Sequence, residues 1–479
     1  MRPPHFPPWE EAELPPAPAW GWNRWTALVG PGLLMAGSNI GGGEWLFGPI
    51  VTAKYGGGIL WLATTSILLQ AFFNLEVMRY AMYTGEPILV GFFRTPPGPK
   101  FWAVIYLLLD IGAVWPYMAS NAAVPLAAAW LGRLPGPADA ALVKGIGYAV
   151  FLGAILPLLV GGKIYNAIER IMVTKIVLVL SYLGVIAVVW APAATWREIF
   201  SGLLRFGYLP EGNVEWATLA AFAAIAGAGG LTNTYFSNFA RDKGWAMGAQ
   251  VGAIPSAVGG RKIALAHVGK IFRLTPQSLE RWRGWRRHVL RDQLAVWVPG
   301  CLLGVALPSM MSLEYLRGVA VEGHAAAAMT ARALADHHGP VFWPLTLLCG
   351  FLVLAPSQIS NLDGITRRWT DVLWVGWGRL RRLGGQQVKL VYYTILAVYA
   401  AWGLLALRLT PNPLALAIAT AVLANVGLAF SSLHTLYVNR TLLPAPLRPP
   451  LWVQAGLVAA AIYYFGISAV ALRQAIGRW

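Results

Sequence analysis

Eleven apolar stretches of about twenty residues or more dominate this chain, at roughly 26–50, 57–82, 101–130, 142–162, 171–193, 215–240, 292–311, 341–363, 388–408, 412–437 and 451–473. Each is long enough to cross about 30 Å of hydrocarbon as a helix. Composition agrees. Of 479 residues, 57% are hydrophobic and 12% charged, with a mean hydropathy of +0.56, against about 25% charged residues in soluble domains. The sequence therefore specifies an all-α integral membrane protein.

The net charge of +17 is explained by placement. With the N-terminus inside, 27 of the 37 Lys and Arg residues fall in or beside cytoplasmic segments and 10 on the opposite side, as the positive-inside rule requires. The count includes Lys163, Arg170 and Lys175 as cytoplasmic. It puts the N-terminus in the cytoplasm, the C-terminus outside and the chain in the cell's inner (plasma) membrane. Residues 1–24 hold seven prolines by position 18, too many for a signal-peptide hydrophobic region, and read as a disordered cytoplasmic tail. Residues 25–479 form one transmembrane domain. Cys301 and Cys349 fall inside spans without metal-knuckle spacing and read as small core residues.

Two of the spans are interrupted. Gly37-Ser38-Asn39-Ile40-Gly41-Gly42-Gly43-Glu44-Trp45 breaks the first, and Gly227-Ala228-Gly229-Gly230, followed by Leu231-Thr232-Asn233-Thr234, breaks the sixth. Glycine costs about 1 kcal/mol relative to alanine in a helix interior, so both helices weaken at mid-depth and free backbone groups there. Such groups survive in hydrocarbon only where protein buries them or a cavity wets them. Paired breaks one repeat apart imply an inverted-repeat transporter with its site at the bilayer midplane. The plan is five plus five spans, with repeat one at about 25–193, repeat two at about 215–437 and an eleventh helix at about 451–473. Close helix packing is the plainer reading of each glycine cluster, and symmetry between the two argues against it.

Glu44 is an ionisable residue beside a break, hence a functional candidate. Its plain alternative is a buried carboxyl that hydrogen-bonds freed amides. Thr232-Asn233-Thr234 have one too, as caps for the second half of a broken helix. Asp110 in the third span is either a proton relay or a packed, salt-bridged carboxyl. Glu76 with Arg79, and Asp363 with Arg367, read as helical ion pairs, while Gln358, Ser360 and Asn361 can face a cavity. The run Arg281-Trp282-Arg283-Gly284-Trp285-Arg286-Arg287 in the long 241–291 connection reads as a helix on the inner leaflet, not as a nucleic-acid patch.

Gly30-Pro31-Gly32, Gly41-Gly42-Gly43-Glu44-Trp45, Tyr55-Gly56, Thr84-Gly85 and Ser357-Gln358-Ile359-Ser360-Asn361-Leu362-Asp363-Gly364 together resemble the Nramp divalent-metal transporters over about residues 25–440. The last segment is similar to that family's Gly-Gln-Ser-Ser-Thr-x-Thr-Gly. The resemblance implies a LeuT-type fold of the amino acid–polyamine–organocation superfamily, with substrate between the unwound middles of helices 1 and 6. It also places Asp110 near the acidic residues of the family's proton route. The family's metal motifs, Asp-Pro-Gly-Asn and Ala-x-x-Met-Pro-His, fall here on Gly41, Gly42, Gly43 and Glu44, and on Ala228, Leu231, Thr232 and Asn233. The expected Asp is Gly41 and the expected Met is Leu231. Without that thioether, oxygen ligands and hard ions are favoured.

The expected substrate-binding set is Asn39, Gly41, Glu44, Ala228, Leu231, Thr232, Asn233 and Gln358. Glu44, Asn39, Ala228 and Asn233 are the expected metal ligands, and Glu44 and Asp110 the proton-coupling residues. The expected function is secondary active transport of a small cation, a divalent metal of the manganese or magnesium type, by alternating access with proton coupling. Transport of a small organic solute, an amino acid or amine, is the alternative, and a non-transporting sensor or scaffold a lesser one. No cofactor is expected beyond a divalent cation as substrate. Membrane lipids are expected partners, nucleic acid is not, and a monomer suffices. No nucleophile–base pair, phosphate loop or cofactor fingerprint suggests an enzyme.

Overall fold

The computed structural model describes residues 6–19, 30–160, 162–258, 262–320, 323–409 and 412–476. Eight helices among these are long and apolar enough to cross a membrane: Gly57–Thr84, Pro137–Leu159, Ile164–Trp190, Pro276–Tyr315, Phe342–Gly376, Gly385–Leu409, Pro413–Thr441 and Leu451–Ile476. They are the second, fourth, fifth, seventh, eighth, ninth, tenth and eleventh spans. The first, third and sixth are each made of two shorter helices. The architecture is the LeuT-type arrangement, five plus five spans and one more.

The first span runs Pro31–Asn39, where Pro31 suits the first helical position because its missing N–H is an orphan there anyway, and resumes at Gly43–Phe47 as a π-turn leading into Gly48–Tyr55. The sixth runs Trp216–Ile225 and resumes at Gly230–Thr234 and Tyr235–Lys243. Between its halves Gly227, Gly229 and Gly230 have φ of 94°, 74° and 61°, a left-handed backbone that side chains disfavour. The two breaks touch: a Cβ on Gly43 would lie 2.1 Å from the Ile225 carbonyl oxygen. Gly43→Ala is therefore expected to destabilise the protein by at least about 1–3 kcal/mol through overpacking. Gly145→Ala, in open space on the fourth span, is expected to be neutral or to stabilise by up to about 1 kcal/mol. Thermal melts in detergent compare the two.

The third span departs from the continuous helix expected over 101–130. It stops at Asp110 and restarts at Tyr117, because Pro116 removes a backbone donor and restricts the residue before it. The expected disordered tail is also corrected over residues 6–19. Glu10–Glu11 pairs in parallel with Lys270–Ile271, Phe6 and Leu14 are buried, and Trp9 Nε1 donates to Glu86 at 3.0 Å. Apolar anchors spaced among the prolines hold this strap against the 241–291 connection. Burial pushes the Glu86 carboxyl up, but Arg94, Trp9 and the Gly269 amide outweigh it and hold it below the usual carboxylate range.

The expected inner-leaflet helix exists as Pro276–Arg291, but Trp282 and Trp285 are buried against protein, and Trp285 Nε1 donates to the Pro15 carbonyl at 2.8 Å.

Candidate site between the broken helices

The breaks leave backbone groups that neighbouring side chains satisfy one by one, as hydrocarbon demands. Gln70 of the second span does most of this. Its Oε1 accepts from the amides of Ala228 at 2.8 Å and Gly229 at 3.0 Å, and its Nε2 donates to the Ala226 carbonyl at 2.8 Å. Glu44 joins the two breaks, with Oε2 accepting from the Gly41 amide at 3.1 Å and Oε1 from the Gly227 amide at 3.3 Å. Arg368 of the eighth span donates to the Leu231 carbonyl at 2.9 Å.

A small, partly open cavity lies between the breaks. Met35, Ser38, Asn39, Gly42 and Gly43 wall it from the first span, Tyr117 and Met118 from the third, Ile225, Gly227, Ala228, Thr232 and Tyr235 from the sixth, and Ser357 and Asn361 from the eighth. Ser357 and Asn361 are four residues apart, on one face of a continuous helix. On this wall Asn39 Nδ2 is buried with no hydrogen-bond partner among the described residues, and such an unpaired group calls for an occupant or for water; Asn233 Oδ1 and Gln358 Nε2 are unpaired too, but neither residue lines the cavity.

Of the expected residues, Asn39, Ala228 and Thr232 line this cavity. Gly41 stands at its edge, where a Cβ would lie 3.0 Å from Ser357 Oγ. Glu44 is fully buried behind it, spent on amides. Asn233 turns away, its Nδ2 donating to Gln70 at 3.1 Å and Asn74 at 2.7 Å. Leu231 is buried, with its carbonyl taken by Arg368. Gln358 accepts from the Ala119 amide at 3.2 Å, so it braces the third span. The expected ligands Glu44, Asn39, Ala228 and Asn233 are thus not gathered around one point in this conformation. Among the described residues no group of three or more His, Cys, Asp and Glu side chains is arranged to hold a metal. Thr232 Oγ1 donates to the Ala228 carbonyl at 2.6 Å, as a helix-breaking hydroxyl does.

Sequence reasoning missed Lys175. Counted as cytoplasmic, it instead sits inside the fifth span, 2% exposed, with Nζ donating to Ser357 Oγ at 2.5 Å. Ser357 Oγ in turn donates to the Ser38 carbonyl at 2.6 Å, and Glu44 is the opposite charge acting on the lysine. Its apolar neighbours, Ile171-Met172-Val173 before it and Ile176-Val177-Leu178 after it, were the available signal. Met35 and Met118 were missed as well. Both line the cavity wall.

Toward the 241–291 connection the space beside the breaks is filled by buried ion pairs. Asp110 pairs with Arg368 and accepts from Trp369 Nε1 at 2.6 Å. Asp363 pairs with Arg367 at 2.8 Å, as its spacing suggests, and Arg367 also reaches Asp242. Arg241 bridges Asp242 at 2.6 Å and Asp371. On the other side Trp45 Nε1 donates to the Ala327 carbonyl at 2.9 Å.

No protein-family model matches the sequence, and no curated protein does. Solved structures do. The Eremococcus coleocola manganese transporter in complex with an aromatic bis-isothiourea substituted compound is 15% identical, with a TM-score of 0.65 over 95% of this chain and 88% of that one. A mutant form of the same transporter gives 16% identity and a TM-score of 0.64 over the same shares. At that identity the likeness concerns architecture, and the chain has the fold of that manganese transporter, an Nramp-like integral membrane fold.

Proposed function

We propose that the protein is a secondary transporter that holds a small divalent cation between the broken first and sixth spans and moves it by alternating access. One observation carries this reading: two interrupted helices face each other across a small, partly polar cavity, with buried charge networks on one side. Such breaks at mid-depth are the usual place for a carrier's substrate. The shared fold with a manganese transporter supports it. Carbonyl, amide and hydroxyl oxygens at Ser38, Asn39, Ala228, Thr232 and Asn361 are donors of the kind that manganese or magnesium accepts, and the nearby thioethers of Met35 and Met118 favour the transition ion. Asn233 and Glu44 enter the ligand set only if the breaks rearrange on loading. We assign the proton-coupling role to Glu44 and Asp110 as before, with Lys175 balancing the charge of Glu44. The chain is read as a divergent relative of the Nramp transporters, a carrier and not an enzyme, working as a monomer in the plasma membrane with its N-terminus inside.

A second reading is favoured by one specific observation. The cavity wall carries no carboxylate, and Glu44 and Lys175 offset each other, so a small amino acid or amine also fits electrostatically. Proteoliposomes loaded with a metal-sensitive dye separate the two. Saturable manganese uptake, undisturbed by excess amino acids and amines, is expected. Absence of metal uptake together with uptake of a labelled amino acid or amine would replace the first reading with the second.

A further inference from the structure

A cleft opens where three elements meet at the basic face of the membrane domain. Its apolar walls are Leu75 and Met82 near the end of the second span, Val289 and Leu290 of the helix Pro276–Arg291, and Trp452 in the first turn of the eleventh. Arg286 lines it as well. Its position at the ends of spans places it at headgroup depth, where tryptophan is enriched; Trp452 is 58% exposed and packs edge-on against Phe72.

The charges in the cleft are unequal. Glu76 is spent, accepting twice from Arg79 Nε at 2.8 Å and from Asn439 Nδ2 at 2.8 Å. Arg286 is half-buried, with Arg79 and Glu76 as the charges acting on it, and it makes no ion pair or hydrogen bond among the described residues. Arg283 and Arg287 are exposed on the same helix, one turn apart. A guanidinium left without a counter-ion beside apolar walls at the membrane boundary fits a ligand with a phosphate and an acyl chain.

We propose that this cleft binds an anionic glycerophospholipid, its phosphate on Arg286 and its acyl chain along Leu75 and Trp452. The bound lipid ties the second span, the helix leading into the seventh and the eleventh span together, whatever the cargo. Each arginine near the surface contributes about 1 kcal/mol to anionic-lipid binding, a factor of about five. Native mass spectrometry of the full chain, with phosphatidylglycerol and phosphatidylcholine in competition, reads the ratio of retained lipids. Wild type is expected to prefer phosphatidylglycerol. Arg286→Gln is expected to lower the ratio about fivefold, Arg286→Lys to keep most of it, and Arg379→Gln, an exposed arginine elsewhere on the chain, to leave it alone. Equal retention of the two lipids by wild type would overturn the proposal. So would equal losses from Arg286→Gln and Arg379→Gln, which would show diffuse charge only, or displacement of the lipid by millimolar inorganic phosphate.

Discussion

Arg368→Met is expected to be among the most damaging single substitutions in the protein, lowering stability by about 3–5 kcal/mol, the usual cost of stripping one partner from a buried ion pair. Arg368 is fully buried and holds two things at once: the Asp110 carboxylate, where the third span breaks, and the Leu231 carbonyl, where the sixth resumes. Without it, the Asp110 charge is left unpaired in a low-dielectric interior and the Leu231 carbonyl keeps only its bond from the Thr234 hydroxyl. The double variant Asp110→Leu with Arg368→Met removes the orphaned charge and is expected to regain part of the loss. It does not regain all of it, because Trp369 Nε1 still lacks its acceptor and the Leu231 carbonyl keeps only the Thr234 hydroxyl, at 2.6 Å. A double-mutant cycle on melting in detergent measures the coupling; additive losses would mean that the pair does not hold the breaks.

Glu44→Gln is expected to lower both transport and stability. The carboxylate accepts one amide from each break, and a carboxamide presents a donor to one of the two. Losing a charge-assisted hydrogen bond costs about 1.5–3 kcal/mol. That cost falls on the conformation described above; a similar loss at the loaded site, where Glu44 is proposed to join the ligands, reduces cation affinity by roughly tenfold to a hundredfold. The change also leaves the Lys175 ammonium in the membrane without its opposite charge. Lys175→Met in the Glu44→Gln background is therefore expected to restore stability, although Lys175→Met alone lowers it. Uptake in proteoliposomes and melting together check this: manganese uptake by Glu44→Gln equal to wild type would remove Glu44 from the mechanism.

The breaks were readable in the sequence because glycine clusters one repeat apart are visible without any partner. What the freed groups bind was not, because Gln70, Glu44 and Arg368 reach them from sequence positions up to about 180 residues away, a matter of tertiary packing. Lys175 was lost to a counting rule that treats every lysine as a loop residue, although its apolar surroundings argued otherwise. The third-span break had a signal in Pro116 that span length concealed. The tail was misjudged because proline content was weighed ahead of Phe6, Trp9 and Leu14. Of the expected site, the residues whose backbone or short side chains lie at the breaks, Asn39, Ala228 and Thr232, reach the cavity. The longer side chains of Glu44 and Gln358, and the amide of Asn233, were free to point elsewhere, and hydrogen-bonding demand at the breaks directs them there.

Cargo is proposed to sit between residues 37–45 and 227–234. Anomalous diffraction from crystals grown with and without manganese tests it most directly. An anomalous peak in the cavity walled by Asn39, Ala228 and Thr232, with oxygens converging on it at about 2.0–2.6 Å, is the result this account requires. Saturable manganese transport by a protein whose only anomalous peak lies outside that cavity would contradict it.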